Sequence, residues 1–335
     1  MASAGWLGRA LGRLAITVSV LFLAVVVSFL VFVWYPSNLA ELFGVGVVVV
    51  VAVGALKAGS NVAGSALPEH DVGEVAVEGP IVRRRSGGPI PGGGPVAAAD
   101  EVVEQIERAD EDGSARALLL KLNTPGGQVV PSDDIRLAAQ EFDGPTVAYA
   151  TDTCASGGYW IASGCDELWA REGSIVGSIG VIGSQVNAKE LADRVGLRYE
   201  RLAAGEYKDA GMPLKEMTDD DREYLQGIID GFYDDFVDRV VEGRDLEPEE
   251  VRDTEARVYL GEEAREMGLV DELGTREDVE AELAERLGVP EVTVKEFERS
   301  TPLPVRFQSG VRRVAYAFGA GVAGVVADDG WEFRV

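Results

Sequence analysis

The sequence is short of the side chains on which most hydrolases and metalloenzymes rely. It has one histidine, His70, which we expect in a solvated linker, so a Ser/His/Asp triad would have to recruit this single residue. Neither an HExxH motif nor a Cys/His cluster is present, which argues against a zinc site. The only cysteines, Cys154 and Cys165, are predicted to be buried thiols, because one disulfide would add little to a core this large. We expect no metal and no cofactor.

Lysine is also scarce, and acidic residues outnumber basic ones by 57 to 31, which gives a formal net charge of -26. Such a surface repels nucleic acid, so neither DNA nor RNA is an expected partner. An acidic, lysine-poor composition in a chain with enough apolar residues to fold is typical of proteins adapted to high salt, where the charges are screened. We expect that adaptation here, as in a protein of a halophilic archaeon.

Two apolar runs near the start of the chain predict contact with membrane lipid. The first, Leu14–Trp34, is uncharged and long enough to cross a bilayer as a retained anchor; the second, Phe43–Leu56, is short for a span. Two crossings would return the chain to the side on which it began, whereas one would place the rest on the opposite face. Arg9 and Arg13 place the N-terminus in the cytoplasm, and Lys57 favours two crossings. The side that carries the remaining chain stays open at this stage.

Strands, glycine-rich loops and helices alternate beyond the apolar runs. Ala117–Leu122 and Thr146–Ala150 are predicted strands, and a loop follows each one, NTPGG after the first and CASGG after the second. This order predicts an α/β domain with mainly parallel pairing. Because loops at the carboxyl ends of parallel strands gather at one edge of a sheet, the two loops are expected to face each other.

These patterns predict four parts of the chain. They are a membrane anchor of one or two helices (1–58), a polar linker (59–73), the main α/β domain (74–291), and a C-terminal strand and amphipathic helix (292–335). Within the main domain, a short strand is predicted at Arg198–Leu202 and a long amphipathic helix at Asp219–Gly243. For the C-terminal helix, subunit packing is favoured slightly over contact with a membrane surface.

Ser156 is the first candidate nucleophile. A turn of small residues brings it to the start of an apolar helical segment, with Gly157 and Gly158 directly behind it. The chain turns sharply there, the hydroxyl stays unshielded, and the free N–H groups of the helix start can face an oxyanion. The alternative is that Ser156 only caps a helix, so the case depends on which base the chain can offer.

Because histidine is nearly excluded, a lysine is the expected base. A desolvated lysine loses its charge and becomes able to accept the serine proton. Lys208 is the best candidate, since it lies in a loop between small residues and beside Tyr207, whose ring can shield it. Lys121, which ends a strand near NTPGG, and His70 are the alternatives to test if Lys208 fails.

Five motifs occur in order along the chain: NTPGG, CASGGYWIA, GSIGV, GEYK and RVYLGEEAREMGLVDELG. They resemble the motifs of SppA-type signal peptide peptidases over about Glu74–Glu291. These are membrane-anchored serine proteases with a Clp-protease/crotonase-like fold of repeated ββα units. The resemblance implies Ser156 as nucleophile, Lys208 as base, N–H groups of Gly127 and Gly157 for the oxyanion, and Ser178 as the hydroxyl that orients the lysine.

The resemblance also implies substrates and an assembly. The substrates are cleaved signal peptides and other unfolded peptides derived from the membrane, and the single peptidase-like unit implies a homo-oligomer that encloses a chamber. Trp160 stands where the family often has a second tyrosine, so the pocket shape is expected to differ.

Two other functions are compatible with these patterns. A crotonase-like acyl-CoA enzyme would share the backbone oxyanion hole but would need carboxylates as acid and base, and its thioester turnover would survive Lys208→Ala. A membrane scaffold without activity would be unaffected by Ser156→Ala.

Overall fold

The computed structural model describes residues 2–29, 47–48, 50–59, 62, 69–84 and 95–298. The helices are α1 (Ala2–Phe29), α2 (Val50–Gly59), α3 (Ala99–Asp110), α4 (Val129–Gln140), α5 (Gly157–Ala162), α6 (Lys189–Arg194), α7 (Asp219–Gly243), α8 (Pro248–Asp253), α9 (Gly261–Glu266) and α10 (Arg276–Leu287). The strands are β1 (Val72–Glu78), β2 (Ile81–Val82), β3 (Ala97–Ala98), β4 (Ala117–Thr124), β5 (Thr146–Ala155), β6 (Glu167–Ala170), β7 (Ile175–Gly177), β8 (Val258–Leu260), β9 (Glu272–Leu273) and β10 (Val294–Glu296). The helix expected near residues 305–326 lies outside the described residues.

One mainly parallel sheet organises the domain. Its strand order is β10-β1-β4-β5-β6-β9, with every neighbouring pair parallel. The carboxyl half of β5 pairs with β7, and β7 pairs antiparallel with β8. The α/β prediction is therefore confirmed, and the loops that follow β4 and β5 lie at the same edge of the sheet.

Helices cover both faces of the sheet, which explains why its central strands are almost continuously apolar. On one face, Leu118, Leu120 and Leu122 of β4 belong to a core that α3, α4, α5 and α7 complete. On the other face, Leu119 packs in a smaller core with residues of α10, including Leu283. Each fully buried leucine contributes about 1.5–3 kcal/mol to folding, so the ends of β4 and β5 are held firmly.

Helix α7 is covered along only part of its length. It begins with a capping box, in which Thr218 accepts a hydrogen bond from the Asp221 amide and Asp221 accepts one from the Thr218 amide. Phe236 and Val240, near its end, are buried in the core. Tyr224, in its first half, is exposed although it belongs to the apolar side predicted from the sequence. The first half of that side is therefore partly exposed to solvent.

The structure differs from the sequence predictions in two places. The strand predicted at Arg198–Leu202 is absent from the described residues, because no neighbouring strand offers it a partner and propensity alone does not make a strand. His70, expected in a solvated linker, is buried because β1 already begins at Val72 and pairs with β10, which brings Phe297 against the imidazole ring.

Candidate active site

Ser156 lies on a sharp turn between the end of β5 and the start of α5. Its φ of 52° and ψ of -120° place a non-glycine residue in the left-handed region of φ, a conformation that costs about 1–3 kcal/mol. Hydrogen bonds on both sides hold it there: the Ser156 amide donates to the Gly177 carbonyl, and the Trp160 amide donates to the Ser156 carbonyl, both at 2.9 Å. A strained turn from strand to helix presents a serine hydroxyl in the way that nucleophiles require.

Two backbone N–H groups lie beside this serine, at Gly127 and Gly157. Within the described part of the chain, neither group donates a hydrogen bond. They are close to each other, because a Cβ added at Gly157 would lie 3.1 Å from the Gly127 nitrogen. Such a Cβ would also clash with the Ser132 hydroxyl, so only glycine fits. Two free, adjacent N–H groups at a serine have the chemistry of an oxyanion hole.

The NTPGG loop is fixed in place by its own threonine. Thr124 donates from its hydroxyl to the Gly79 carbonyl at 2.7 Å and accepts from the Gly126 amide at 3.0 Å. Gly126 has a φ of 91°, and a Cβ there would lie only 2.8 Å from the Ser156 Cβ. The loop therefore approaches the nucleophile as closely as backbone atoms allow.

Ser178 is brought to the same edge of the sheet. It follows Gly177, whose carbonyl accepts from the Ser156 amide, and its own amide donates to the Arg257 carbonyl at 2.8 Å. Its φ of 53° turns the chain away from β7, which ends at Gly177. Ser156 and Ser178 are both half-buried.

Lys208 is not part of this packed arrangement in the single chain. It is exposed, and in the described structure its side chain makes no hydrogen bond or ion pair, either with Ser156 or with Ser178. The ring of Tyr207, expected to shield it, stacks instead on Tyr224 with centroids 4.8 Å apart. The desolvation that a neutral lysine needs is therefore missing from the isolated chain.

A network of ion pairs anchors the segment that carries Lys208. Asp209, the next residue, is buried. Its carboxylate accepts hydrogen bonds from Arg201 Nε at 2.6 Å and from Lys215 Nζ at 3.2 Å. Lys215 also binds Asp221, at the start of α7, at 2.8 Å. The hydrogen bond from Arg201 holds the pKa of Asp209 below its usual value. A second hydrogen bond, from Lys215, lowers it further. The network connects the Lys208 segment to α7. In the sequence, the only sign of it is that acidic and basic residues alternate on either side of Lys208.

The two alternative bases, His70 and Lys121, make contacts away from Ser156. His70 precedes β1 at the amino-terminal edge of the sheet, opposite to the edge that carries Ser156, and its Nε2 lies 3.5 Å from Asp112. Lys121 is paired with Glu78 at 3.3 Å. The cysteines are both free and buried, as predicted. Among the described residues, no three metal-binding side chains come together.

Sequence reasoning missed a buried arginine behind the nucleophile helix. Arg244, just after α7, donates from Nη2 to the Ala162 carbonyl at 2.8 Å and from Nη1 to the Cys165 carbonyl at 3.2 Å. These carbonyls lie at and beyond the end of α5, so the cation stabilises the helix whose start carries Ser156. No motif marks Arg244, and only the packing of α7 against α5 reveals it.

Comparisons with known proteins find peptidases among the relatives of this chain. The model of peptidase family S49 matches residues 138–290. A protein of Synechocystis sp., provisionally named as a protease, is 36% identical over 58% of this chain and 72% of its own length. A provisionally named protease of Methanocaldococcus jannaschii is 34% identical over 58% of this chain and 64% of its own length. A protein of Enterococcus faecium, provisionally named as the signal peptide peptidase SppA, is 32% identical over 59% of this chain and 58% of its own length.

Proposed function

The chain belongs to peptidase family S49 and is a serine-type peptidase, and on that premise we propose that it is a membrane-anchored endopeptidase with a Ser156/Lys208 dyad. The observation that carries the proposal is the strained Ser156 turn with two free N–H groups, from Gly127 and Gly157, directly beside it. The family match supports the reaction class, and this geometry supports Ser156 as the proposed nucleophile and the two N–H groups as the proposed oxyanion hole.

The reaction follows from the chemistry of these groups. Neutral Lys208 accepts the Ser156 proton as the serine oxygen attacks the peptide carbonyl, and the N–H groups of Gly127 and Gly157 stabilise the oxyanion. The lysine then gives its proton to the departing amine, which leaves an acyl-enzyme. Water, deprotonated by the same lysine, releases the acyl group. Ser178 orients the lysine amine throughout.

The exposed position of Lys208 supports the proposal that the active form is a homo-oligomer. A lysine becomes a base at neutral pH only when its charged form is disfavoured by burial. The connection between β7 and α7 (residues 178–218) and the first half of α7 expose many large apolar side chains: Ile182, Val186, Leu191, Val195, Leu197, Leu202, Met212, Leu214, Tyr224 and Ile228. Such a patch marks a contact surface. A second copy that covers it would remove water from around Lys208.

The membrane anchor is supported by α1, in which Leu11–Phe29 is long and apolar enough to cross a bilayer. The substrates that fit an anchored endopeptidase of this family are membrane-derived peptides, including remnants of signal peptides. The name of the Enterococcus faecium relative points to the same substrates. From the acidic composition we further propose that the protein works in high salt.

Peptide hydrolysis by detergent-solubilised protein in high salt tests the dyad. Ser156→Ala and Lys208→Ala should each reduce kcat by at least about 10³-fold while the oligomer stays assembled. Lys189→Ala is the matched control and should keep normal activity, because Lys189 is a surface lysine paired with Asp193 within α6. If Lys208→Ala cleaves normally, the proposed base is wrong.

Mixed assemblies of the two inactive variants identify which copy supplies the base. If Lys208 acts on Ser156 of its own chain, co-expressed Ser156→Ala and Lys208→Ala chains stay inactive. Recovery of part of the activity would mean that each Lys208 serves the serine of a neighbouring copy.

A further inference from the structure

The end of helix α2 lies against helix α1. Gly59, the last residue of α2, accepts a hydrogen bond from the Thr17 hydroxyl at 3.4 Å. A Cβ added at Gly59 would lie 3.2 Å from the Val20 Cβ and 3.3 Å from the Thr17 Cα. The end of α2 therefore packs tightly against the beginning of the apolar part of α1, a contact that a small residue makes possible.

The α/β domain is attached at this same end of α1. Arg13, just before the apolar stretch, pairs with Glu69 at 3.0 Å, and Glu69 lies three residues before β1. Lys57 of α2 pairs with Glu111, at the end of α3, at 2.8 Å. The other end of α1, at Phe29, lies about 24 Å further along the helix axis than Arg13.

From this arrangement we infer that the chain crosses the membrane twice and carries its peptidase domain on the cytoplasmic side, an inference that rests on the proposed membrane anchor. The chain leaves α1 at the Phe29 end and enters the domain at the Arg13 end. If α1 spans the bilayer, residues 30–58 must therefore bring the chain back across it. A single crossing would leave the domain at the Phe29 end, where the described contacts do not place it.

The distribution of charge assigns the two ends of the hairpin to opposite sides of the membrane. Arg9, Arg13 and Lys57 flank the end that carries the domain, whereas residues 30–46 contain no lysine or arginine and one acid, Glu41. The positive-inside rule places the basic end in the cytoplasm. Between the two ends, both helices expose apolar side chains that suit lipid: Leu14, Val18, Phe22, Val50 and Val53.

This topology narrows the substrate class of the proposed peptidase. Ser156 acts on peptides that are presented at the cytoplasmic face of the membrane or released from it into the cytoplasm. Peptides that remain on the outer face are then not substrates unless another process moves them across.

Labelling of single introduced cysteines in intact cells tests the sidedness. Ser37→Cys, between the two apolar runs, should react with a membrane-impermeant maleimide in intact cells. Glu285→Cys, exposed on α10, should react only after lysis. The native cysteines are buried and serve as the unlabelled background. Labelling of Glu285→Cys in intact cells, or failure of Ser37→Cys to label there, would overturn the inference.

Cross-linking tests the hairpin itself. In the membrane, oxidation of Val20→Cys/Gly59→Cys should form a disulfide, because the two Cβ positions lie within disulfide reach. The disulfide is detected by cutting the chain at a protease site inserted between the two helices. With the disulfide present, the two fragments stay together on a non-reducing gel. The control pair Val20→Cys/Gly54→Cys should separate, because a Cβ at Gly54 meets nothing within 4 Å. Equal cross-linking of both pairs, or none in the first, would contradict the hairpin.

The proposed function can fail separately from this topology. Hydrolysis by solubilised wild-type protein, lost in Ser156→Ala, reports the peptidase regardless of sidedness. If the peptidase is active and Glu285→Cys labels from outside, only the topology is wrong. If alkaline carbonate extracts the active protein from membranes, the anchor is wrong and the topology falls with it.

Discussion

The two halves of the proposed dyad lie in regions of opposite character. Ser156 lies among buried residues, strained backbone and glycines into which no side chain would fit. Lys208 lies in the connection between β7 and α7, where Leu202 is 99% exposed and Ile182 is 88% exposed. The folded chain thus places the proposed nucleophile beside two free N–H groups, whereas the proposed base lies on an exposed segment.

This contrast indicates where control of the activity resides. A strained serine beside free N–H groups is preorganised and needs no further folding step to act. The proposed base lies on an exposed segment, so we expect an unassembled chain to be inactive even with both N–H groups in place. Peptidase activity is therefore expected only in the assembled form. Substitutions in one region at a time, each paired with a matched substitution elsewhere, separate the two contributions.

Among changes that leave both residues of the proposed dyad intact, the largest effect is expected from Gly127→Ala in the packed region. The new Cβ would clash with the Ile81 carbonyl, which would displace the Gly127 amide from the oxyanion hole. Loss of one such donor costs about 10²–10³-fold in kcat. Gly173→Ala is the control, because a Cβ there meets nothing within 4 Å, and it should keep wild-type kcat. Equal kcat in both variants would mean that Gly127 takes no part in the oxyanion hole.

A smaller loss of activity is expected from Asp209→Asn in the open region. The substitution removes the charge that holds Arg201 and Lys215 together, and the segment carrying Lys208 loses its fixed position. We expect kcat to fall roughly 10–100-fold, as for a misplaced catalytic group. The control is Asp193→Asn, whose exposed pair with Lys189 should contribute almost nothing.

The pH dependence of this loss separates a positioning role from proton transfer. Because the hydrogen bond from Arg201 and the further one from Lys215 lower the pKa of Asp209, this carboxylate stays charged in the folded protein at neutral and alkaline pH. Its contribution is lost only as the pH falls through the lowered pKa. The fold-loss in Asp209→Asn should therefore be constant from about pH 5 to 9. A loss that varies across this range would show that Asp209 takes part in the titration of the base.

Sequence reasoning reached the packed region more readily than the open one. The alternation of apolar strands and glycine-rich loops specifies the parallel sheet, and the glycines around Ser156 mark a turn that only small residues permit. The sequence does not encode the exposure of Lys208 in the same local way. Burial of a loop depends on which surface covers it, and the stacking of Tyr207 on Tyr224 joins positions 17 residues apart.

Two failed predictions have the same physical origin. The strand predicted at Arg198–Leu202 has suitable residues but no partner, and His70 is buried because a strand from the far end of the domain pairs with β1. Both outcomes are decided by contacts between distant parts of the chain, which propensity and periodicity do not report. Arg244 was missed for the same reason, since its acceptors lie about 80 residues away.

Arg244→Ala is expected to lower the stability of the fold, because Arg244 takes no direct part in the proposed reaction but binds the end of α5. The side chain is 2% exposed and donates to two carbonyls at the end of α5, which would be left without these donors. We expect the free energy of unfolding to fall by about 3 kcal/mol. Arg194→Ala in the open region, where the arginine forms an exposed i,i+4 pair, should change it by less than about 0.5 kcal/mol. Urea unfolding of both variants measures the difference, and equal losses would contradict the contrast between the regions.

The smallest effect is a difference in thiol reactivity, and it reports both regions in one protein. Burial raises the pKa of Cys154 and of Cys165 to about 12, so at pH 8 the thiolate fraction of each is on the order of 10⁻⁴. The native protein should therefore take up almost no maleimide, and the unfolded protein two equivalents. A third cysteine at Leu202 should react rapidly in dissociated chains and slowly in the assembled form. Rapid reaction in the assembly would mean that this surface stays in water, and the lysine near it would then lack the desolvation that a serine protease base requires.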